Sequence, residues 1–309
     1  MVIFNIKDNF NIVESWRPGK FPAWILIEED EIILLKDMFS YECIKECIDY
    51  KQDQRIDYFK DYIFILINII DQQGRQIISK ELDIFLGETF IITVYKSNMP
   101  LLYELIEDIK EGKNSHLFKE DKSPSIILYY ILDRIIKNNY NIISDLEAEG
   151  DKIELEILKD PDSKQLNSLL FIRREAYKLR KLIKPIRYIG DALVIDENGV
   201  IGKENIIYFK NINNKIEKLI TALDTLSQEL AIVREAYESE LANKTNELMK
   251  VFTIITAVFL PLELITAVFS MSFECMPFKS CPYGFYGLVS ALILMAIVLL
   301  LLFKIRKIL

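Results

Sequence analysis

VFTIITAVFLPLELITAVFSMSF (Val251–Phe273) holds a single charge, Glu263, and GFYGLVSALILMAIVLLLLF (Gly284–Phe303) holds none. Each is long enough to cross about 30 Å of hydrocarbon as a helix. The ten-residue connection between them, Glu274 to Tyr283, is too short to be a domain. Everything before Val251 is charged and long enough for one or two packed domains. The chain therefore reads as a membrane protein with a large soluble N-terminal part and a C-terminal helical hairpin.

The charge is unevenly spread. The whole chain has 46 acids against 38 bases, a net of −8. Residues 251–309 carry only Glu263 and Glu274 against Lys279, Lys304, Arg306 and Lys307, so the soluble part holds nearly all the acid. That argues against nucleic acid as a partner. The opening MVIFNIKDNF has neither a basic start nor an apolar run, so the N-terminal region is expected to stay in the cytosol. Lys244 and Lys250 precede the first span, and Lys304, Arg306 and Lys307 follow the second, with only Lys279 in the loop. The positive-inside rule then places both termini in the cytoplasm of a plasma membrane and the loop outside.

Residues 1–122 read as an α/β domain. FPAWILI (21–27), YIFILINII (62–70), RQIIS (75–79) and FIITVY (90–95) have strand composition, and a helical pattern runs from Ile32 to Tyr50. Residues 123–202 form a helical hairpin region, broken at DPDS (160–163), whose second arm runs to Pro185. Its arms have opposite charge: Asp145, Glu147, Glu149, Asp151, Glu154 and Glu156 face Arg173, Arg174, Lys178, Arg180, Lys181 and Lys184. Mutual pairing is the first reading, and an acidic surface that gathers cations the second. Residues 203–250 read as a stalk helix that continues without Pro or Gly to Pro261. With the span it covers about 70 residues, or roughly 105 Å. A helix of that length packs against neighbours or copies of itself. Residues 251–273 are then a transmembrane pore helix, 274–283 an outer loop, 284–303 a second transmembrane helix, and 304–309 a basic cytosolic tail.

A carboxylate that faced lipid would cost at least a few kcal/mol, so Glu263 should face protein or water. Stepping by three and four from it collects Met249, Phe252, Thr256, Leu260, Ala267 and Ser270 on one face. If several copies surround an axis, this stripe lines a pore, with Glu263 as a ring of carboxylates and Ser270 as a ring of hydroxyls. Oxygen rings suit hard divalent cations. The alternative is a Glu hydrogen-bonded within a helix interface near Pro261.

NKTNELMKVFTIITAVFLPLELITAVFSMSFECMP (243–277) resembles the stalk-to-pore segment of the CorA family of magnesium transporters. RIDYFKDYIFILINII, ELDIFLGETFIITVY, YYILDRIIKNNYNIISDLEAEGDKIE, YFKNINNKI and the closing FKIRKIL resemble further parts of the same family. The resemblance implies an α+β membrane protein: a cytosolic α/β domain, a long helical stalk and two C-terminal membrane helices in a homopentameric funnel. It implies passive passage of Mg2+ or another divalent cation, without ATP hydrolysis. Partners are then membrane lipid, divalent cations and four more copies of the chain. The family's Gly-Met-Asn at the pore mouth corresponds to Ser270-Met271-Ser272, and its Met-Pro-Glu-Leu to Met276-Pro277-Phe278-Lys279. Its cytosolic cation sensor uses acids where this chain has Asn211 and Asn214. Glu263 stands where the family usually has Thr. These departures keep a Zn2+ or other transition-metal transporter, and a non-conducting relative, as alternatives. Cys43 and Cys47 point weakly to a metal. Cys275 and Cys281 are close enough for a disulfide, and free thiols fit as well. There is no Gly-rich phosphate loop and no nucleophile constellation, so neither an enzyme nor a cofactor is expected.

Overall fold

Seven strands form one sheet in the computed structural model, which describes residues 1–49, 53–113, 115–271 and 283–306. They are β1 (Val2–Asn5), β2 (Asn11–Ile12), β3 (Ala23–Glu28), β4 (Arg55–Tyr58), β5 (Tyr62–Gln73), β6 (Gln76–Gly87) and β7 (Phe90–Tyr95). Their spatial order is β2-β1-β3-β7-β6-β5-β4. Every neighbouring pair is antiparallel except β3 and β7, which run parallel from Ala23↔Phe90 to Glu28↔Tyr95. β5 and β6 are twelve residues each and turn over at Gly74, whose φ of +64° suits a tight hairpin.

Both faces of the sheet are covered, which is why YIFILINII shows no alternation. Phe64, Leu66, Phe85, Ile92 and Val94 meet Phe39, Cys43, Ile44 and Cys47 on one side. The residues between them, Ile63, Ile65, Ile84, Leu86 and Ile91, are equally buried on the other side. Helix α5 (Ser163–Ile195) lies against β4, β5 and β6. The expected single helix from Ile32 to Tyr50 is instead a 3₁₀ helix, Glu29–Leu35, followed by α1, Tyr41–Ile48. The chain breaks because Ser40 is extended, with ψ at 137°, and its amide is held by the Tyr62 hydroxyl at 3.1 Å.

The remaining helices are α2 (Pro100–Glu111), α3 (His116–Glu120), α4 (Pro124–Ile157), α6 (Ile206–Ser270) and α7 (Gly284–Ile305). One line of buried positions on α5 is Leu169, Ile172, Ala176, Leu179, Ile183, Ile186, Gly190 and Leu193. On α6 they are Phe209, Ile212, Ile216, Leu219, Leu223, Leu226, Leu230 and Val233. Both sets alternate steps of three and four without a break, the spacing of a coiled-coil seam. Gly190 sits on that seam because a Cβ there would lie 2.7 Å from Asn213 Oδ1 and 2.8 Å from Ile216 Cδ1.

Helix α5 does not stop at Pro185 but continues to Ile195. Ile183, Ile186 and Ile189 are buried on either side of the proline, and that packing outweighs the lost hydrogen bond. The Gln54 side chain donates to the Leu182 carbonyl at 2.6 Å beside the disturbed turn.

The oppositely charged arms do not pair with each other among the described residues. Arg180 and Arg187 of α5 instead reach Asp224 and Glu217 of α6, at 2.9 and 2.6 Å. The chain divides into two compact units: Met1–Leu155 with Ser163–Arg234, and Glu156–Asp162 with Glu235–Leu309.

Candidate membrane pathway

The second unit contains the C-terminal half of α6 and all of α7, and both helices are long and apolar enough to cross a membrane. The part of α6 from Val251 to Ser270 has two distinct sides. Met249, Phe252, Thr256, Leu260, Glu263, Ala267 and Ser270 are all exposed. At about 100° per residue they fall within roughly 40° of one line. Val258 is buried, and Ile254, Leu262, Ile265 and Phe269 are half-buried. These lie on the opposite side of the same helix.

Met249, Phe252, Thr256 and Leu260 border an open groove of about 700 Å³ that runs along the exposed side. Thr253, Ala257, Pro261 and Leu264 share it, which the sequence reading did not include. A wider arc, taking the neighbours one residue on, would have found them. Glu263, Ala267 and Ser270 continue the stripe beyond the groove. Ser272 lies outside the described residues, as do Cys275, Cys281 and Met276-Pro277-Phe278-Lys279.

The hydroxyls of the stripe are oriented by their own helix. Thr256 donates to the Phe252 carbonyl at 2.8 Å, and Ser270 to the Ala267 carbonyl at 3.3 Å. With the hydrogen engaged inward, each oxygen turns its lone pairs away from the helix. Pro261 has no N–H, so the carbonyl of Ala257 is also released from the ladder. Glu263 has no ion pair or hydrogen-bonded partner for its carboxylate among the described residues. Nor do the described residues hold any group of three or more His, Cys, Asp or Glu fit for a metal ion. One chain thus offers a divalent ion one carboxylate and a few neutral oxygens. A full oxygen shell of six to eight needs water or further copies.

The other candidates belong to the first unit. Asn211 and Asn214 are exposed on α6 in the first unit. Cys43 and Cys47 are buried beneath the sheet, and burial pushes the Cys43 thiol up to about 11 and that of Cys47 higher still. Both are inert thiols. His116 is on α3, 3.6 Å from Glu120, and joins no cysteine.

A family model for the CorA-like Mg2+ transporter protein matches residues 28–307. The chain belongs to the CorA family. It is 23% identical to the cobalt/magnesium transport protein CorA of Thermotoga maritima over 303 residues, 96% of this chain and 86% of that one. It is 25% identical to the putative metal ion transporter YfjQ of Bacillus subtilis, covering 86% and 83% of the two chains. The complete CorA structure from Methanocaldococcus jannaschii superposes with a TM-score of 0.84 at 19% identity, over 98% of this chain and 96% of that one. CorA proteins are transporters and not enzymes. The α/β domain, long helix and paired C-terminal apolar helices expected from the sequence are the CorA fold.

Proposed function

We propose that the protein is a homopentameric, passive pathway for divalent cations, Mg2+ foremost, across the plasma membrane. The observation that carries this reading is the two-sided character of α6. Its covered side and its oxygen-bearing side are diametrically opposed, so copies arranged about an axis can all turn the stripe inward. Glu263 then forms a ring of five carboxylates, the principal cation site. Thr256 and Ser270 add rings of neutral oxygens that replace part of the hydration shell. Met249, Phe252 and Leu260 supply apolar constrictions towards the cytosolic end, and Ala267 leaves width near the mouth. Helix α7 is almost uniformly apolar, with no charge before Lys304, and takes the lipid-facing place. Both termini are cytoplasmic, following the basic residues at the inner ends of the spans. Ser270-Met271-Ser272 closes the outer end, with hydroxyls in place of an amide.

The test is reconstitution of the full chain in liposomes loaded with a Mg2+ or a Zn2+ indicator. Influx driven by the cation gradient alone, without nucleotide, is expected. A folded pentamer that moves neither ion would identify a non-conducting protein instead.

A further inference from the structure

Helix α5 carries a basic, aromatic stripe whose cations find no ion pair among the described residues. Leu170, Arg173, Arg174, Tyr177, Lys181, Lys184 and Tyr188 are all exposed. At about 100° per residue they lie within roughly 60° of one line, between Leu170 and Tyr188 of the helix. Tyr177 is 72% exposed and Tyr188 65%. The bases that do serve the chain are others: Arg180 and Arg187 pair with α6, and Lys178 donates to the Ile77 carbonyl. Arg173, Arg174, Lys181 and Lys184 have no ion pair among the described residues. Four uncompensated positive charges flanked by large exposed rings are unusual on a chain with a net charge of −8.

The same unit carries the complementary feature. Glu147 on α4 lies close to Glu229 of α6 and to Asp151, one turn on along its own helix. Burial holds the Glu147 carboxyl above its usual range, and the charges of Glu229 and Asp151 add to that. None of the three has an ion pair among the described residues. Leu155, 62% exposed and one turn beyond Asp151, extends this face along α4. Each patch therefore has acid or base to match and apolar area to bury, and neither finds an ion-pair partner among the described residues.

We propose that the α5 stripe is an assembly surface that docks on the Glu147, Asp151 and Glu229 face of a second copy. The contact joins two different patches and is heterologous, so it propagates around a ring and closes where the rotation permits. It goes beyond the pore reading, because it assigns the soluble unit its own contribution to joining the copies. Arginine is suited to the role, since its planar guanidinium engages carboxylates in a bidentate way.

The experiment uses the full chain in lipid nanodiscs with Cys275→Ser and Cys281→Ser. Tyr177→Cys and Leu155→Cys are added, separately and together, and treated with a short bis-maleimide. The doubly substituted chain should give a covalent ladder, and each single variant none. Arg173→Glu with Arg174→Glu should reduce the ladder at least fivefold, as should Glu147→Lys with Asp151→Lys. Combining the two reversals should restore it. An intact pentamer by native mass that yields no ladder overturns this interface and leaves the pore reading standing. A ladder indifferent to both reversals overturns the charge pairing. A chain that stays monomeric overturns both proposals.

Discussion

The carboxylate of Glu175 on α5 accepts a 2.7 Å hydrogen bond from the backbone amide of Ile77 on β6. Glu175 is 5% exposed and Ile77 fully buried, so this bond ties the sheet to the helical bundle where water cannot substitute. Glu175→Ala would strand the buried amide and remove a charge-assisted bond. A loss of about 2–4 kcal/mol is expected, read as a lower urea midpoint of the soluble unit. Glu175→Gln, which can still accept, should lose less.

Gly190→Ala sets two effects against each other. Alanine gains up to about 1 kcal/mol of helix propensity over glycine. Its methyl would also sit 2.7 Å from Asn213 Oδ1 and 2.8 Å from Ile216 Cδ1. Overpacking of that kind costs about 1–3 kcal/mol. Destabilisation should win, and a raised melting temperature would show that Asn213 and Ile216 move aside freely.

Asp83 gives the soluble unit a pH dependence. It is 1% exposed on β6, and burial, then the neighbouring Glu81, push its carboxyl up to about 7. Lys96, Cys47 and Arg55 pull in the other direction without cancelling this. The folded chain therefore holds this proton more tightly than the unfolded chain, whose Asp titrates near 4. The stabilisation is complete at low pH and is lost as pH rises from about 4 to about 7. Urea midpoints at pH 5.5 and pH 8 should differ by more in the wild type than in Asp83→Asn. Equal slopes would mean that Asp83 does not titrate in this range.

In the span, Glu263→Gln should cut divalent flux or alter selectivity while the pentamer persists by native mass. Glu263→Ala should do so more strongly, and Ser272→Ala less, since a hydroxyl brings no net charge. Cysteine scanning should find residues 252, 256, 263, 267 and 270 reachable by a water-soluble reagent, and the second span unreachable. Unchanged flux in Glu263→Gln would make the carboxylate structural.

Closing in response to cytosolic Mg2+ should be weak, because Asn211 and Asn214 are neutral where the resemblance to the family implies an acidic cation sensor. Neutral amides bind hard cations less strongly than carboxylates. Protease digestion of the soluble unit over a Mg2+ titration reads this. Strong protection at low millimolar Mg2+ would count against it.

The parts legible in the sequence were those with one dominant signal. FPAWILI, YIFILINII and FIITVY are too apolar and β-branched for anything but buried strands, and they became β3, β5 and β7. The stripe around Glu263 rests on one carboxylate on an apolar helix, which defines a face by itself, and its role in a pore is a proposal. β2 and β4 were not, being two and four residues long and held by their neighbours more than by composition. The break between Leu35 and Tyr41 depends on the hydroxyl of Tyr62, two strands' worth of chain away, which no local pattern reports. The pairing of α5 with α6, in preference to α4, needed the bundle's packing, because composition alone makes α4 the natural partner.

The parallel alignment of β3 with β7 also sets a timetable. On its other side β3 pairs with β1, which is close in sequence and already made. Its β7 side stays open until Tyr95 has been synthesised, and the β5–β6 hairpin must form in between. At about 5–20 residues per second on the ribosome, the apolar AWILI edge waits for seconds with unpaired backbone groups. A nascent chain stalled before Phe90 would present that edge to any other chain nearby.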